Sequence, residues 1–182
     1  MPEASALPDE FAFNKGDVFF PMVMTFVTAA AGLAGALNPS NPLGFTEKDG
    51  FFLEGKAHPE IVFPLQDVVD VLRANNIDIP VLTNSLCAML INTSYETVKG
   101  QNDRSPEFEF FRHLRNAASH CNAFHFAARE PIRRSSWRGL VIPDNPKGTE
   151  NPLFRQQCFG HFVAAADALV LLWDIQRRIC AK

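Results

Sequence analysis

Apolar residues recur three and four positions apart over long parts of the chain, and this spacing is typical of helices that bury one face. Proline or serine stands where several of these segments begin, and glycine or proline stands where several of them end. The pattern predicts five helices, over residues 17–37, 64–76, 80–100, 105–121 and 159–182.

The segments between these helices are rich in turn-forming residues. Residues 44–64 mix turn formers with short apolar runs, and we expect an irregular connector there with a short extended piece. Two short pieces, at 124–127 and 137–142, are predicted to pair as a hairpin. The fold class is therefore predicted to be all-α, a four- to five-helix bundle with a small β-hairpin insertion.

Length and composition favour one globular domain. The chain has 182 residues, of which 47% are apolar, and this is enough to close a core without disulfides or a structural metal. We expect a single domain over residues 1–182, with a leader at 1–16 and a hairpin and loop insertion at 123–157. The four cysteines lack the paired spacing of zinc ligands or a redox dithiol, so we expect reduced, mostly buried thiols, no metal and no cofactor.

One segment raises the question of a membrane span. Residues 18–37 contain no charge and have the length that crosses a bilayer. Pro21, two glycines and two threonines moderate the hydrophobicity, and no cluster of Lys or Arg marks a flank. We therefore expect a central core helix and no membrane contact. The first residues also lack the pattern of a secretory signal, which favours a cytoplasmic protein.

The fourth helix carries an unusual number of groups that hold or move protons. On a wheel of roughly 100° per residue its side chains sort into two arcs. The apolar arc holds Phe110, Phe111, Leu114, Ala117, Ala118 and Cys121, and the polar arc holds Glu109, Arg112, His113, Arg115, Asn116, Ser119 and His120. We expect the first arc to pack in the core and the second to form a polar shelf.

The polar shelf contains the segment RNAASH, residues 115–120. Asn116 and His120 are four positions apart and are therefore neighbours on a helix, and Arg115 lies one turn from Ser119. A guanidinium, a carboxamide and an imidazole in this arrangement can converge on one small anion, and phosphate is the natural candidate.

This Arg, polar residue, then His pattern resembles the motif of HEPN domains, and the long first helix and helical bundle resemble the plan of that family. The resemblance implies a metal-independent endoribonuclease, a toxin or phage-defence effector whose motif helices meet in a homodimer and build one composite cleft. RNA supplies its own nucleophile, the 2′-hydroxyl, so the site needs a proton carrier and a fixed positive charge. His120 and Arg115 are predicted to fill these catalytic roles, with Asn116 positioning the phosphate or the imidazole.

Further residues are predicted to bind the RNA substrate. Residues 104–138 hold seven arginines and three glutamates in a chain whose net charge is −3, so the basic charge is local and suits a nucleic-acid backbone. The predicted substrate-binding residues are Arg112, His113, Ser119, Arg133 and Arg134.

Three alternatives stay open at this stage. A metal site could form from His113, His120, Cys121 and His125, although Cys121 falls on the apolar arc. The chain could be the partner-regulated half of a toxin–antitoxin pair, silenced by an antitoxin. It could also be a non-catalytic HEPN-like binding or dimerisation module. His125 is predicted to be a hairpin residue rather than a catalyst.

Overall fold

The computed structural model of the chain describes residues 11–38, 40, 45, 49–54, 56, 61–74, 77–127, 130–144 and 151–181. These residues form helices and two small antiparallel sheets. The helices are α1 (Phe20–Leu37), α2 (Leu65–Arg73), α3 (Ile79–Val98), α4 (Pro106–Ser119) and α5 (Ala165–Cys180), and the strands are β1 (Gly50–Leu53), β2 (Ile61–Pro64), β3 (Ser135–Trp137) and β4 (Leu140–Ile142). The prediction of a helical protein with a small β insertion is confirmed, with five helices in the described part of the chain.

The chain divides into two compact units. One unit combines the residues up to Phe26 with those from Thr83 onward, and the other is Val27–Leu82. The prediction of a single domain over the whole chain stays a prediction. The candidate site lies entirely in the first unit, which contains α4, α5 and most of α3.

Local sequence signals explain where α4 begins. Ser105 has extended backbone angles and its hydroxyl accepts a hydrogen bond from the amide of Phe108, as a helix cap does. Pro106 occupies the first helical position, where its missing N–H costs nothing, and Glu107 complements the positive end of the helix dipole. The predicted start of this helix is therefore confirmed.

The core of the first unit is built largely from aromatic and branched side chains of α3, α4 and α5. Phe111 is fully buried and packs edge-on against Phe19 and Tyr95, with ring centroids 6.3 and 5.2 Å apart. Each such side chain contributes roughly 1.5–3 kcal/mol through burial. Fully buried neighbours include Phe108, Phe110, Leu114, Leu171, Leu172 and Ile175. This packing fixes α4 in rotation and so decides which of its side chains reach the surface.

The hairpin of the first unit is more local than predicted. β3 pairs with β4 across Arg138 and Gly139, which both have positive φ as a tight hairpin turn requires. The predicted pairing of 124–127 with 137–142 is wrong. Phe124 instead exchanges backbone hydrogen bonds with Arg155 and Gln156.

The second unit contains the other hairpin. β1 pairs antiparallel with β2, with Gly50 opposite Pro64, and α2 begins at the next residue. The predicted irregular connector at 44–64 thus contains two short strands, and its residues 44, 46–48, 55 and 57–60 lie outside the described residues.

The first helix is not the central core helix that we expected. In α1, Val23 and Phe26 are buried, but only 17% of the 18-residue helix is buried within the chain. Its length and mean hydropathy of 1.7 are sufficient for a membrane span. One such helix near the N-terminus is only weak evidence for a membrane protein, because core helices of soluble proteins and signal sequences have the same properties. The expectation failed because the absence of charge along a helix does not ensure that other parts of the chain cover it.

The N-terminal leader also differs in part from the expectation. Residues 1–10 lie outside the described residues, but Phe11 packs against Trp173 of α5 with ring centroids 5.7 Å apart.

All four cysteines are free, and of these Cys87 and Cys158 are buried whereas Cys121 and Cys180 are exposed. Burial raises the pKa of Cys87 to about 11, so this thiol stays protonated at neutral pH.

Candidate functional site

The apolar arc of α4 packs largely as predicted. Phe110, Phe111, Leu114 and Ala117 are buried in the core. Cys121 is the exception, because the helix ends at Ser119 and Cys121 is exposed in the following turn with φ of 56°.

The polar arc, in contrast, is not a single exposed shelf. Glu109 and His113 are 4% and 1% exposed, because the chain that follows α4 packs over this side of the helix. The ring of Phe126 lies 5.4 Å from that of His113. The predicted contact of His113 with substrate is therefore wrong for this structure, since its imidazole cannot be reached from solvent.

These buried groups form a polar network around Arg112. Its guanidinium donates to Glu109 at 3.0 Å and to Glu130 at 2.7 Å, and it lies 3.0 Å from Nε2 of His113. Burial, reinforced by the charge of Arg112, lowers the pKa of His113 to about 4. Burial alone would raise the pKa of Glu130, but hydrogen bonds from the amide of Ala127 and from Arg112 outweigh it and lower this pKa. The charge of Arg112 is thus neutralised by two carboxylates of the same chain.

Beside this network lies an open cleft of about 370 Å³. Arg104 and Arg133 line it together with Arg112 and Glu130. Arg104 and Arg133 are exposed and have no carboxylate partner within the described residues. Arg134, the other arginine predicted to bind substrate, is exposed but does not line the cleft.

The motif side chains lie on the part of α4 that faces α3. Arg115 pairs with Glu96 of α3, and the hydroxyl of Ser119 donates to the side-chain oxygen of Asn92 at 2.9 Å. A hydrogen bond from Lys99 lowers the pKa of Glu96, desolvation opposes it, and a hydrogen bond from Arg115 lowers it further. Glu96 is therefore a persistent anion that orients the motif arginine.

Asn116, the third residue predicted for the catalytic site, bonds to Arg115 through its side chain and to His120 only through its backbone. Its side-chain oxygen accepts a long hydrogen bond, 3.5 Å, from Nη1 of Arg115. Its backbone carbonyl accepts from the amide of His120 at 3.1 Å. The Arg115 side chain is 32% exposed, and His120 is exposed at the end of the helix. The side chains of Arg115 and Asn116 are thus joined, whereas the bond to His120 is an ordinary helix bond between backbone atoms.

A further histidine, not predicted as a site residue, completes the cluster. The rings of His120 and His125 stack with centroids 4.3 Å apart and an angle of 19° between their planes. His125 in turn contacts Phe154 at 5.8 Å. Sequence reasoning placed His125 in a hairpin because the turn that folds it back depends on contacts with residues more than thirty positions later.

The contributions of Asn92 and Glu96 were also missed. Both are polar residues on a largely apolar helix, and that was the only signal the sequence carried. The alternative of a metal site from His113, His120, Cys121 and His125 finds no support, because no group of three or more potential ligands lies together among the residues that the structure describes.

When the chain is compared with protein-family models, curated proteins and solved structures, none of them matches it.

Proposed function

We propose that the chain is a metal-independent endoribonuclease that acts through the 2′-hydroxyl of RNA. The observation that carries this proposal is that the partly exposed guanidinium of Arg115 and the exposed imidazole of His120 lie within the last residues of α4 and its C-cap, with a second imidazole stacked on His120. The resemblance of the RNAASH segment to the HEPN motif supports the same chemistry. With that resemblance, we propose a HEPN-like homodimer formed through α4 that serves as a cytoplasmic toxin or phage-defence effector and can be held in check by an antitoxin.

The reaction requires little from the protein. A neutral imidazole accepts the proton of the 2′-hydroxyl, whose oxygen attacks the adjacent phosphorus while the bond to the 5′-oxygen breaks. The products are a 2′,3′-cyclic phosphate and a free 5′-hydroxyl. In this scheme His120 transfers a proton, and Arg115 stabilises the charge that builds on the phosphorane.

The hydrogen bonds of Arg115 are compatible with phosphate binding. One terminal nitrogen donates to Glu96 and the other to Asn116. A guanidinium carries two N–H groups on each terminal nitrogen, so each retains one for a phosphate oxygen. Glu96 thereby holds the guanidinium plane in place without using all of its donors, which lowers the entropy lost when substrate binds.

Basic residues outside the motif suit an RNA backbone. Arg104 and Arg133 at the cleft and the exposed Arg134 carry charge that no carboxylate of the described residues neutralises. We assign them to sequence-independent phosphate contacts, which weaken steeply with salt. Arg112, which is held by Glu109 and Glu130, is assigned a supporting role instead.

The test is incubation of the purified protein with a mixed RNA pool in EDTA, beside the Arg115→Ala and His120→Ala variants. His161→Ala, which removes an exposed histidine outside the cluster, is the matched control. We expect the wild type and the control to cleave, and both motif variants to lose on the order of 100-fold in rate. Mass spectrometry should find 2′,3′-cyclic phosphate ends.

Two results would contradict the proposal. Cleavage of an all-deoxy oligonucleotide at a similar rate would exclude a mechanism that uses the 2′-hydroxyl. Absence of any RNA cleavage by the wild type would favour the non-catalytic binding module, and binding of uncleaved RNA by gel shift would then define its function.

A further inference from the structure

A second imidazole lies against the motif histidine, outside the motif itself. The rings of His120 and His125 are nearly parallel, 4.3 Å apart, and both residues are exposed. Two exposed histidines in face-to-face contact bury no core surface that would account for their pairing. Imidazole is also the side chain best suited to exchange protons near neutral pH.

The position of His125 is fixed by the fold of the chain after α4. Cys121 and Asn122 have φ of 56° and 63°, so the chain reverses direction immediately after His120. The side chain of Asn122 then holds the backbone of Phe159 through two hydrogen bonds, of 2.7 and 3.0 Å. A non-glycine residue at positive φ carries a conformational cost that these bonds offset.

Two more contacts complete this support. The amide of Phe124 donates to the carbonyl of Gln156 at 2.9 Å, and the amide of Arg155 donates to the carbonyl of Phe124 at 2.8 Å. Phe154, in the same segment, packs its ring against His125. His125 is therefore held beside His120 by backbone bonds on one side and by a ring contact on the other, as a preorganised catalytic group requires.

From this arrangement, which rests on the proposed ribonuclease activity, we infer that His125 is a second proton-transfer group, so that one chain supplies both the general base and the general acid of RNA cleavage. One imidazole, in its neutral form, takes the proton of the 2′-hydroxyl as the new oxygen–phosphorus bond forms. The other, in its protonated form, gives its proton to the 5′-oxygen as the phosphorus–oxygen bond breaks. Proton exchange with water then restores both rings.

The geometry suits this division of labour. The attacking and leaving oxygens of an in-line displacement lie on opposite sides of the phosphorus. Two stacked rings present their edges side by side, at a spacing of the same order as that between these two oxygens. Each edge can therefore serve one oxygen, while Arg115 is left to stabilise the phosphorane.

The test uses one RNA oligonucleotide that the wild type cleaves, made with either oxygen or bridging sulfur at the scissile 5′ position. A thiolate leaves without needing a proton, so sulfur removes the requirement for a general acid. The variants are His120→Phe and His125→Phe, which keep an aromatic ring in the stack but cannot transfer a proton. His161→Phe is the matched control, and a His125→Gln variant replaces His125→Phe if thermal melting shows that the latter is unfolded.

We expect both stack variants to lose on the order of 100-fold in rate on the oxygen substrate. On the sulfur substrate, one of the two should regain the wild-type rate and the other should remain slow. Wild-type cleavage of the oxygen substrate by His125→Phe would overturn the inference, as would failure of both variants to regain activity on sulfur. If the wild type cleaves no RNA at all, the proposed function itself fails, and this inference fails with it.

Discussion

His113 makes the stability of the protein sensitive to mild acid. Its imidazole is 1% exposed, Nε2 faces the guanidinium of Arg112 at 3.0 Å, and Nδ1 has no hydrogen-bond partner among the described residues. Burial, together with the charge of Arg112, lowers the pKa of His113 to about 4 in the folded chain. An unfolded chain exposes the same group at its ordinary pKa of about 6.5.

The sign and size of the effect follow from this difference. Between pH 6.5 and 4 the unfolded chain binds a proton that the folded chain excludes, so the free energy of unfolding falls as the pH falls. The stability contributed by the neutral imidazole of His113 is essentially complete at pH 7, and it is lost progressively as the pH falls toward the pKa of about 4 in the folded chain. With these two pKa values, lowering the pH from 7 to 5 costs about 2 kcal/mol through His113 alone.

The assay is urea unfolding at pH 7 and pH 5, followed by circular dichroism, for the wild type and a His113→Gln variant. The glutamine oxygen can still accept from Arg112, but it does not titrate. We expect the wild type to lose about 2 kcal/mol more than this variant between the two pH values. The matched control is His161→Gln, which should keep the wild-type loss. Equal losses in the wild type and His113→Gln would refute the view that a buried, neutral imidazole is held beside Arg112.

Three further predictions concern the helix that carries the site. Glu96→Gln weakens the contact that orients Arg115, so RNA should bind more weakly to an inactive His120→Ala background in a fluorescence anisotropy titration, and tighter binding would contradict the orienting role of Glu96. Ser105→Ala removes the cap that accepts from Phe108 and should cost about 1 kcal/mol in urea unfolding, whereas Ser105→Asp should retain most of it. Phe111→Ala opens the core where three rings meet and should cost about 3–5 kcal/mol, and a loss below 1 kcal/mol would contradict its assigned burial.

The helices could be predicted because their signals are local. Ser105 and Pro106 mark the start of α4 without reference to the rest of the chain, and the three-and-four spacing identifies its apolar face. Helical periodicity reports only which residues share a face. It does not report how many faces a neighbouring segment covers, and this is why α1 was expected in the core although only 17% of it is buried.

The polar residues of α4 were harder to place for the same reason. Glu109 and His113 lie on the arc opposite the main apolar residues, and polarity alone favours exposure. They are buried because the chain after α4 returns over that side of the helix: Phe126 packs on His113. Glu130 pairs with Arg112, which is also the partner of Glu109 and His113. Burial of such a network depends on residues up to 18 positions away in sequence, so the spacing within the helix cannot reveal it.

The sequence indicated the segment of the candidate site but not the residues that surround it in the fold. Arg115, Asn116 and His120 stay accessible, whereas Glu96 and Asn92, which support the motif from α3, carry no distinguishing pattern. No short-range rule links a position on one helix to its partner on another. Such partners become visible only when packing sets the rotation of both helices.

Packing also explains why exposed polar groups lie near the end of α4. Along most of the helix, the core covers one side and the network of Arg112 covers another, so the groups there are neutralised or buried. Near Ser119 the helix stops, and the chain turns sharply through Cys121 and Asn122. Near this end, Arg115 remains partly exposed although it pairs with Glu96, and His120 is exposed at the C-cap. The reversal that follows the helix brings His125 beside His120. The terminus leaves one imidazole exposed, and the returning chain, anchored to Phe159 through Asn122, places a second imidazole beside it.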